Sequence, residues 1–375
     1  MRYFIVKEFF GIRVFDSVEK TEIYFDCNNE EKIKKLLTDD YVYIDNFNGE
    51  KKITAPFKIS MNLTKRCNLR CKQCFSDSGE LKAVELTTQE MYKLFDDMRK
   101  YGTNFICLGG GEPLTRPDLL DILDYGKKKQ LAISIVSNGL LLTSELISKL
   151  NDLDLDTFWI SLDGMKENHE NLRGVGTFDK TIEKINMLGK EFKSKTAIRM
   201  SLNKHNINEY KDIIKIAEDN NIGLVRFTPI LSFGRAKNED LTINQDQYIA
   251  FLNEIRTIKA KCKVVYPNMP SDRFWAGENG FGCHCGKEAM WIDEVGNYSP
   301  CIFYGDSYNV GNIKTDNYIE LWHKAMEISS FEGNEVCKNC ANFKNCRGGC
   351  RARVGFDLNN FNDVDPLCPL RKNKK

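Results

Sequence analysis

Eleven of the fourteen cysteines in this 375-residue chain fall into three dense groups: Cys67, Cys71 and Cys74; Cys283, Cys285 and Cys301; and Cys337, Cys340, Cys346, Cys350 and Cys368. A chain with this pattern must fold so that each group converges on metal or on a disulfide. Disulfide frameworks belong to small secreted domains, whereas in a reducing compartment such spacing reads as metal ligation. The N-terminal MRYFIVKEFF lacks the long apolar core and small-residue cleavage site of a secretory signal. No apolar run approaches the ~20 residues of a membrane span. The expectation is a cytoplasmic protein with no membrane partner and reduced, metal-bound thiols. A formal net charge of +1 gives no general attraction for nucleic acid.

The length exceeds what one compact domain usually holds, and three regions differ in pattern. Residues 1–56 read as a small β-rich extension. RYFIVKEFF and TEIYFD have strand composition, NEEKIKKLL predicts a short helix opened by Asn29, and YVYIDNFNGEKKI predicts a hairpin. In residues 57–270, strands are predicted at FKISMNL, NFICLGG, LAISIVS, TFWISLD, AIRMSL and LVRFTPI. Helices are predicted between them, near 87–100, 118–129, 144–150, 178–191 and 208–220, with another in QDQYIAFLNEIRTIKAK. This alternation predicts βα units around a parallel sheet, and both an open doubly wound sheet and a partial barrel fit it. Residues 271–375 are rich in Gly, Asn and Cys with little periodicity, so metal staples would have to order them.

The first cysteine group follows the first strand of the βα series. Three local thiolates on a 4Fe–4S cluster leave one iron open. An open iron can chelate the amino and carboxylate groups of S-adenosylmethionine (SAM), and one electron into the sulfonium then yields a 5′-deoxyadenosyl radical. Structural zinc is the competing reading, but it wants four ligands and no fourth Cys or His lies nearby. The C-x3-C-x2-C spacing resembles the radical SAM superfamily. Members usually carry an aromatic residue or His just before the third Cys; here Gln73 stands there, with Phe75 one place after it.

Further motifs lie at successive predicted strand ends, where α/β folds bind ligands. Gly109-Gly110-Gly111-Glu112-Pro113 offers glycines for close backbone approach and a carboxylate for an ammonium group. It resembles the family's GGEP motif, in which the Glu binds the SAM amino group. Ser137 and Asn138, and then Ser161 and Asp163, suit ribose hydroxyls and the methionine end. The run from Ser161 through His169 to Arg173 resembles a family pattern that would pair Arg173 with the SAM carboxylate; His169 reads as a structural histidine. Arg226, which the resemblance adds to the cofactor-binding residues, and Gly234-Arg235-Ala236 also resemble family features near the site, the other reading of Arg226 being a structural ion pair. The resemblance implies a partial (β/α)6 TIM barrel. No catalytic acid or base stands out.

The C-terminal cysteines resemble the SPASM domain, the auxiliary-cluster region of peptide-modifying radical SAM enzymes. That resemblance implies an outer cluster on Cys337, Cys340, Cys346 and Cys368. It implies an inner one on Cys301, Cys350 and one or both of Cys283 and Cys285. Of the other thiols, Cys107 reads as a small buried hydrophobe, and Cys27 and Cys262 carry no signal. The implied function is a peptide or protein maturase, with a precursor peptide or protein as substrate and a flavodoxin or ferredoxin as reductant. The alternatives are a radical SAM enzyme acting on a small cofactor precursor such as a tetrapyrrole, and a non-catalytic iron–sulfur or zinc scaffold. Residues 1–56 would dock a leader peptide along a β edge or simply cover the barrel.

Overall fold

The computed structural model describes residues 1–26, 29–37, 40–50, 52–80, 83–267, 285–304, 308–329, 335–341, 343–346, 348–354 and 364–370. Cys27 and Cys283 lie outside them. All six predicted core strands form: β5 (Lys58–Thr64), β6 (Phe105–Gly110), β7 (Ala132–Ser137), β8 (Thr157–Ser161), β9 (Lys195–Leu202) and β10 (Leu224–Pro229). They pair in sequence order and all in parallel. Right-handed crossovers in an unbroken sequential order put every connecting helix on one face, so the sheet curls as a barrel does instead of being wound on both sides. This is the partial (β/α)6 barrel that the motifs implied.

The helices form because their apolar spacing matches that outer face. Helix α2 (Thr88–Tyr101) buries Met91, Leu94, Phe95 and Met98, opens with a Thr87–Glu90 capping box and stops at left-handed Gly102. Helices α3 (Leu119–Lys128), α4 (Ser144–Asp152), α6 (Thr177–Glu191) and α7 (Tyr210–Asp219) follow the predicted rhythm. Helix α5 (Lys166–Arg173) was not separately expected; it is mostly polar and buries only His169 and Leu172. Helix α8 (Gln245–Ile255) ends before the predicted segment does.

The inner face differs from an ordinary barrel core, which bulky aliphatic side chains fill. Here each strand turns a smaller or polar residue inward: Ser60, Cys107, Val136, Ser161, Arg199 and Arg226 all line one cavity of about 360 Å³. The sheet also extends further than the alternation suggested. Short β11 (Lys263–Val265) adds beside β10, and β12 (Ala289–Ile292), from the cysteine-rich region, adds in parallel beside β5. A two-residue strand, Tyr298–Ser299, follows β12 in antiparallel.

The N-terminal region is a four-stranded sheet in which Thr21–Asp26 (β3), Gly11–Asp16 (β2), Tyr3–Glu8 (β1) and Tyr41–Ile44 (β4) lie side by side in that order. RYFIVKEFF is one strand, β1 (Tyr3–Glu8), and then a turn into an unforeseen strand, β2 (Gly11–Asp16); β3 is Thr21–Asp26. Asn29 precedes helix α1 (Glu30–Leu36) as expected, but its amide bonds Asp26 and does not cap the helix. The expected hairpin is corrected: β4 (Tyr41–Ile44) pairs in parallel with β1, and no return strand follows among the described residues, the charged NGEKK half offering no apolar face to bury.

This sheet packs against the starts of the barrel strands. Phe4 and Phe15 cluster with Ala132 and Phe105. Arg13, fully buried, pairs with Glu8 at 3.1 Å and Glu22 at 2.9 Å and stacks on Phe57, while Asn104 bonds Glu22. Helix α9 (Tyr318–Ile328) closes the same side: Trp322 Nε1 donates to Ile53 O, and Tyr318 OH meets Thr103 Oγ1. Removing one member of a buried ion network leaves uncompensated charge. Arg13→Met should therefore lower stability by about 3–5 kcal/mol, and adding Glu8→Gln and Glu22→Gln should restore most of it. Urea unfolding of the three proteins checks this, and equal stability of the single variant and wild type would refute it.

Candidate functional site

The cavity opens at the carboxyl ends of the strands. Cys67, Cys71 and Cys74 all line it, on the loop that leaves β5. That loop has no regular structure, so its backbone groups need partners elsewhere. Gly111 N–H donates to Thr64 O at 2.8 Å and Glu112 N–H to Arg66 O at 2.7 Å. Cys67 N–H donates to Gly79 O and Lys72 N–H to Leu172 O. From the far side Arg235 donates Nε to Cys71 O, its N–H to Cys74 O, and NH1 to Asp77 and Ser78. The Gly234-Arg235-Ala236 run thus clamps the cysteine loop. Burial pushes the Cys67 thiol up to about 11 and raises Cys71 as well, so metal ligation here must release protons.

The glycines were expected to admit a ligand. The structure gives Gly110 and Gly111 another use: a Cβ on Gly111 would stand 2.0 Å from Arg66 O, and one on Gly110 2.7 Å from Thr64 O. The glycines seat the cysteine loop directly on the strand end, and both still line the cavity.

Glu112 was expected to take the SAM ammonium. It is fully buried and lies behind the cavity wall. Its carboxylate accepts from Ser137 Oγ at 2.7 Å, Asn138 N–H at 2.7 Å and Leu114 N–H at 3.1 Å. Burial pushes its carboxyl up against those bonds. Glu112 therefore orders the turn that presents Ser137 and Asn138, both of which reach the cavity; Asn138 also donates to Asn68 of the cysteine loop.

Asp163 is likewise behind the wall. Its carboxylate accepts from Ser201 N–H, Gln73 Nε2 and Arg173 Nε, each at 2.7 Å. Burial works to raise it, but the Arg173 guanidinium and the Ser201 bond hold it below the usual range. His169 is structural, as expected: its Nδ1 accepts from Asp163 N–H, and burial with the Arg173 cation pushes the imidazole down to about 4. Arg173 reaches the cavity with Nε held by Asp163, and its terminal nitrogens have no partner among the described residues. Gln73 also lines the cavity, its Oε1 buried and without a partner among the described residues. Ser161 lines it too. Arg226 lies on the same wall in register with Arg199; it makes no ion pair among the described residues.

Cys285 and Cys301 open onto this same cavity. Cys107 does too, so it is no buried hydrophobe: strand alternation turns it inward with Gly109. The remaining thiols lie apart. Cys340 N–H donates to Cys337 O, and Gly349 N–H to Cys346 O. Cys346 feels Cys368 electrostatically. Asp365, unnoticed in the sequence, organises this region by accepting from Cys350 N–H and from Arg353. Gln245 of α8 donates to Cys368 O, tying the region to the barrel. Among the described residues no three His, Cys, Asp or Glu side chains close on a single metal ion; a cubane, with one thiolate per iron corner, spreads its ligands more widely.

Because Gly111 has no room for a side chain, Gly111→Ala should displace the cysteine loop. After anaerobic reconstitution it should lose about four irons, while Gly109→Ala, whose Cβ would meet nothing nearer than 3.6 Å, should keep them. Wild-type iron in Gly111→Ala would refute the seating role.

Two family models match the chain: one described as the radical SAM superfamily, over residues 61–217, and SPASM, an iron–sulfur cluster-binding domain, over residues 283–350. Among curated proteins, the mycofactocin maturase MftC of Mycobacterium ulcerans is 27% identical over 332 residues, 85% of this chain and 89% of that one. An AdoMet-dependent heme synthase of Methanosarcina barkeri is 28% identical over 351 residues, covering 86% and 98%. Among solved structures, Streptococcus suis SuiB bound to precursor peptide SuiA shares the fold with a TM-score of 0.78, over 97% of this chain and 98% of that one, at 15% identity. The radical SAM core binds SAM and a 4Fe–4S cluster, and the SPASM region binds auxiliary iron–sulfur clusters. The donors present fit these groups: three thiols on a fixed loop, the free guanidinium end of Arg173 and the unpaired Gln73 carbonyl share one cavity. The chain carries a radical SAM domain and, C-terminal to it, a SPASM iron–sulfur cluster-binding domain.

Proposed function

We propose that this enzyme abstracts a hydrogen atom from a peptide or protein substrate and so matures a precursor peptide. The observation that carries this reading is the shared chamber. Cys67, Cys71 and Cys74 open onto it from the barrel, and Cys285 and Cys301 open onto it from the SPASM region. A substrate inside would lie between the two cluster sites. The maturase relative and the SuiB fold, seen with a precursor peptide, support a peptide substrate.

In this reading Cys67, Cys71 and Cys74 hold the SAM-binding cluster. Cys337, Cys340, Cys346 and Cys368 hold the outer auxiliary cluster, and Cys301, Cys350 and one or both of Cys283 and Cys285 the inner one. When bound, these groups supply the 5′-deoxyadenosyl radical and an acceptor for the electron left on the substrate. The side chains bind and orient. Arg173, set by Asp163, offers its terminal nitrogens to the SAM carboxylate. Ser137, Asn138 and Ser161 offer small polar groups to the ribose and methionine, and Glu112 holds the turn behind them. The domain limits stay at 1–56, 57–270 and 271–375. The outer strand β3, with Ile23 exposed, is where a leader peptide would add by strand pairing. A cytoplasmic flavodoxin or ferredoxin would deliver electrons.

A second reading, action on a tetrapyrrole, is favoured by the heme synthase relative. Anaerobic incubation with SAM and dithionite, given either the peptide encoded beside the gene or iron-coproporphyrin III, separates the two by mass spectrometry. A modified peptide with unchanged porphyrin is expected, and the reverse would overturn the peptide reading.

The cluster assignment has its own test. The variant with Cys67, Cys71 and Cys74 all changed to Ala should make no 5′-deoxyadenosine. It should retain about eight of the ~12 irons expected for three four-iron clusters. Undiminished SAM cleavage in that variant, or a wild-type total near four irons with bound zinc, would defeat the assignment.

A further inference from the structure

The chamber holds more positive charge than the cofactor sites account for. Arg199 on β9 and Arg226 on β10 are direct register partners, and both line the cavity. Neither side chain makes a hydrogen bond or ion pair among the described residues; the Arg226 guanidinium stands 5.0 Å from the centroid of the Trp159 ring. Lys58, at the start of β5, is a third lining cation without a counter-ion among those residues. Two other cations on the wall are matched, Arg173 by Asp163 and Arg235 by Asp77. No acidic side chain lines the cavity among the described residues. Crowding by the surrounding wall and the neighbouring Arg199 pull Arg226 below its usual range, although its side chain stays open to the cavity.

Like charges on adjacent strands repel, and the repulsion would grow as a bound substrate displaces water. A structural arginine on an inner strand would have a carboxylate beside it, as Arg13 does at the base of the barrel. Trp291 of β12, at the other side of the sheet, also lines the cavity, and its buried indole N–H has no partner among the described residues. The unmatched formal charge on the cavity wall is therefore positive.

We propose that Arg199 and Arg226 form a carboxylate-binding subsite for the substrate, separate from the guanidinium of Arg173, which Asp163 holds just beyond the carboxyl end of β8. The proposal rests on the reading above only in that a substrate enters the chamber. A peptide C-terminus, an acidic side chain and a tetrapyrrole propionate share the chemistry that planar guanidinium pairs recognise. The substrate would enter with its carboxylate on β9–β10 and present a nearby C–H bond toward the cysteine loop.

The test uses the full chain, anaerobically reconstituted and loaded with SAM. Calorimetry compares acetyl-Ala-Ala-Tyr as free acid with its amide, and coproporphyrin III with its tetramethyl ester. The free acid should bind about tenfold tighter than the neutral form in at least one pair. Arg199→Gln with Arg226→Gln should erase that preference, and Arg199→Lys with Arg226→Lys should keep part of it. SAM affinity by equilibrium dialysis should stay within about twofold in both double variants. A preference seen with the porphyrin alone would sustain the subsite and sink the peptide reading. Absence of an acid preference in both pairs, its persistence in the Gln variant, or a large loss of SAM affinity would overturn the proposal.

Discussion

The site depends on one close contact between backbones. The loop bearing Cys67, Cys71 and Cys74 lies directly on the end of β6, where Gly111 approaches Arg66 so closely that no side chain fits between them. Two short hydrogen bonds, from Gly111 to Thr64 and from Glu112 to Arg66, lock that contact. Arg235 holds the same loop from the opposite side through the carbonyls of Cys71 and Cys74. An irregular loop becomes a fixed platform because hydrogen bonds from the barrel side, at Gly111, Glu112 and Arg235, join those it makes within itself. The later strand ends then face a wall whose position is already set.

Behind that wall lie two buried carboxylates with different electrostatic settings. Glu112 receives only neutral donors at short range, so burial raises its carboxyl. Asp163 has Arg173 beside it and stays well ionised. Each carboxylate gathers groups from several separate strand ends. Glu112 joins the ends of β6 and β7, and Asp163 joins Gln73 of the cysteine loop, Arg173 of α5 and Ser201 of β9. Buried polar networks of this kind hold one arrangement because any slip strands a charge or a lone pair. His169, kept neutral, supports Asp163 from its own helix turn.

A chamber through the middle of the sheet removes the packed interior that stabilises most barrels. The apolar core is displaced outward, to the layer between strands and helices, where residues such as Ile59, Phe95, Leu108 and Phe158 are almost fully buried. The base is closed by the N-terminal sheet and by α9, with Arg13, Glu8 and Glu22 buried at the junction. The SPASM region contributes β12 to the sheet itself, so the cysteines near it are carried by the same hydrogen-bonded layer as the radical SAM motifs.

The barrel was legible in the sequence because its cues are local. Six apolar runs, amphipathic helices of the right spacing and the C-x3-C-x2-C group after the first strand are all read within short windows, and the structure follows them closely. The N-terminal hairpin and the β1–β2 boundary were misread, since the turn at Phe9 and Phe10 carries no turn-forming residue and β4 chose a distant partner. Residue types likewise pointed to Glu112 and Asp163, but not to which side of the wall they occupy; that depends on donors more than twenty residues away. Asp365, Arg235 as a clamp, and the unpaired Arg199–Arg226 neighbours were invisible for the same reason. The sequence by itself determined which groups could bind iron and in what order the strands would come. Only the folded chain decided which charges would meet a partner, because pairing is set by three-dimensional proximity and burial, and neither is written in a local window.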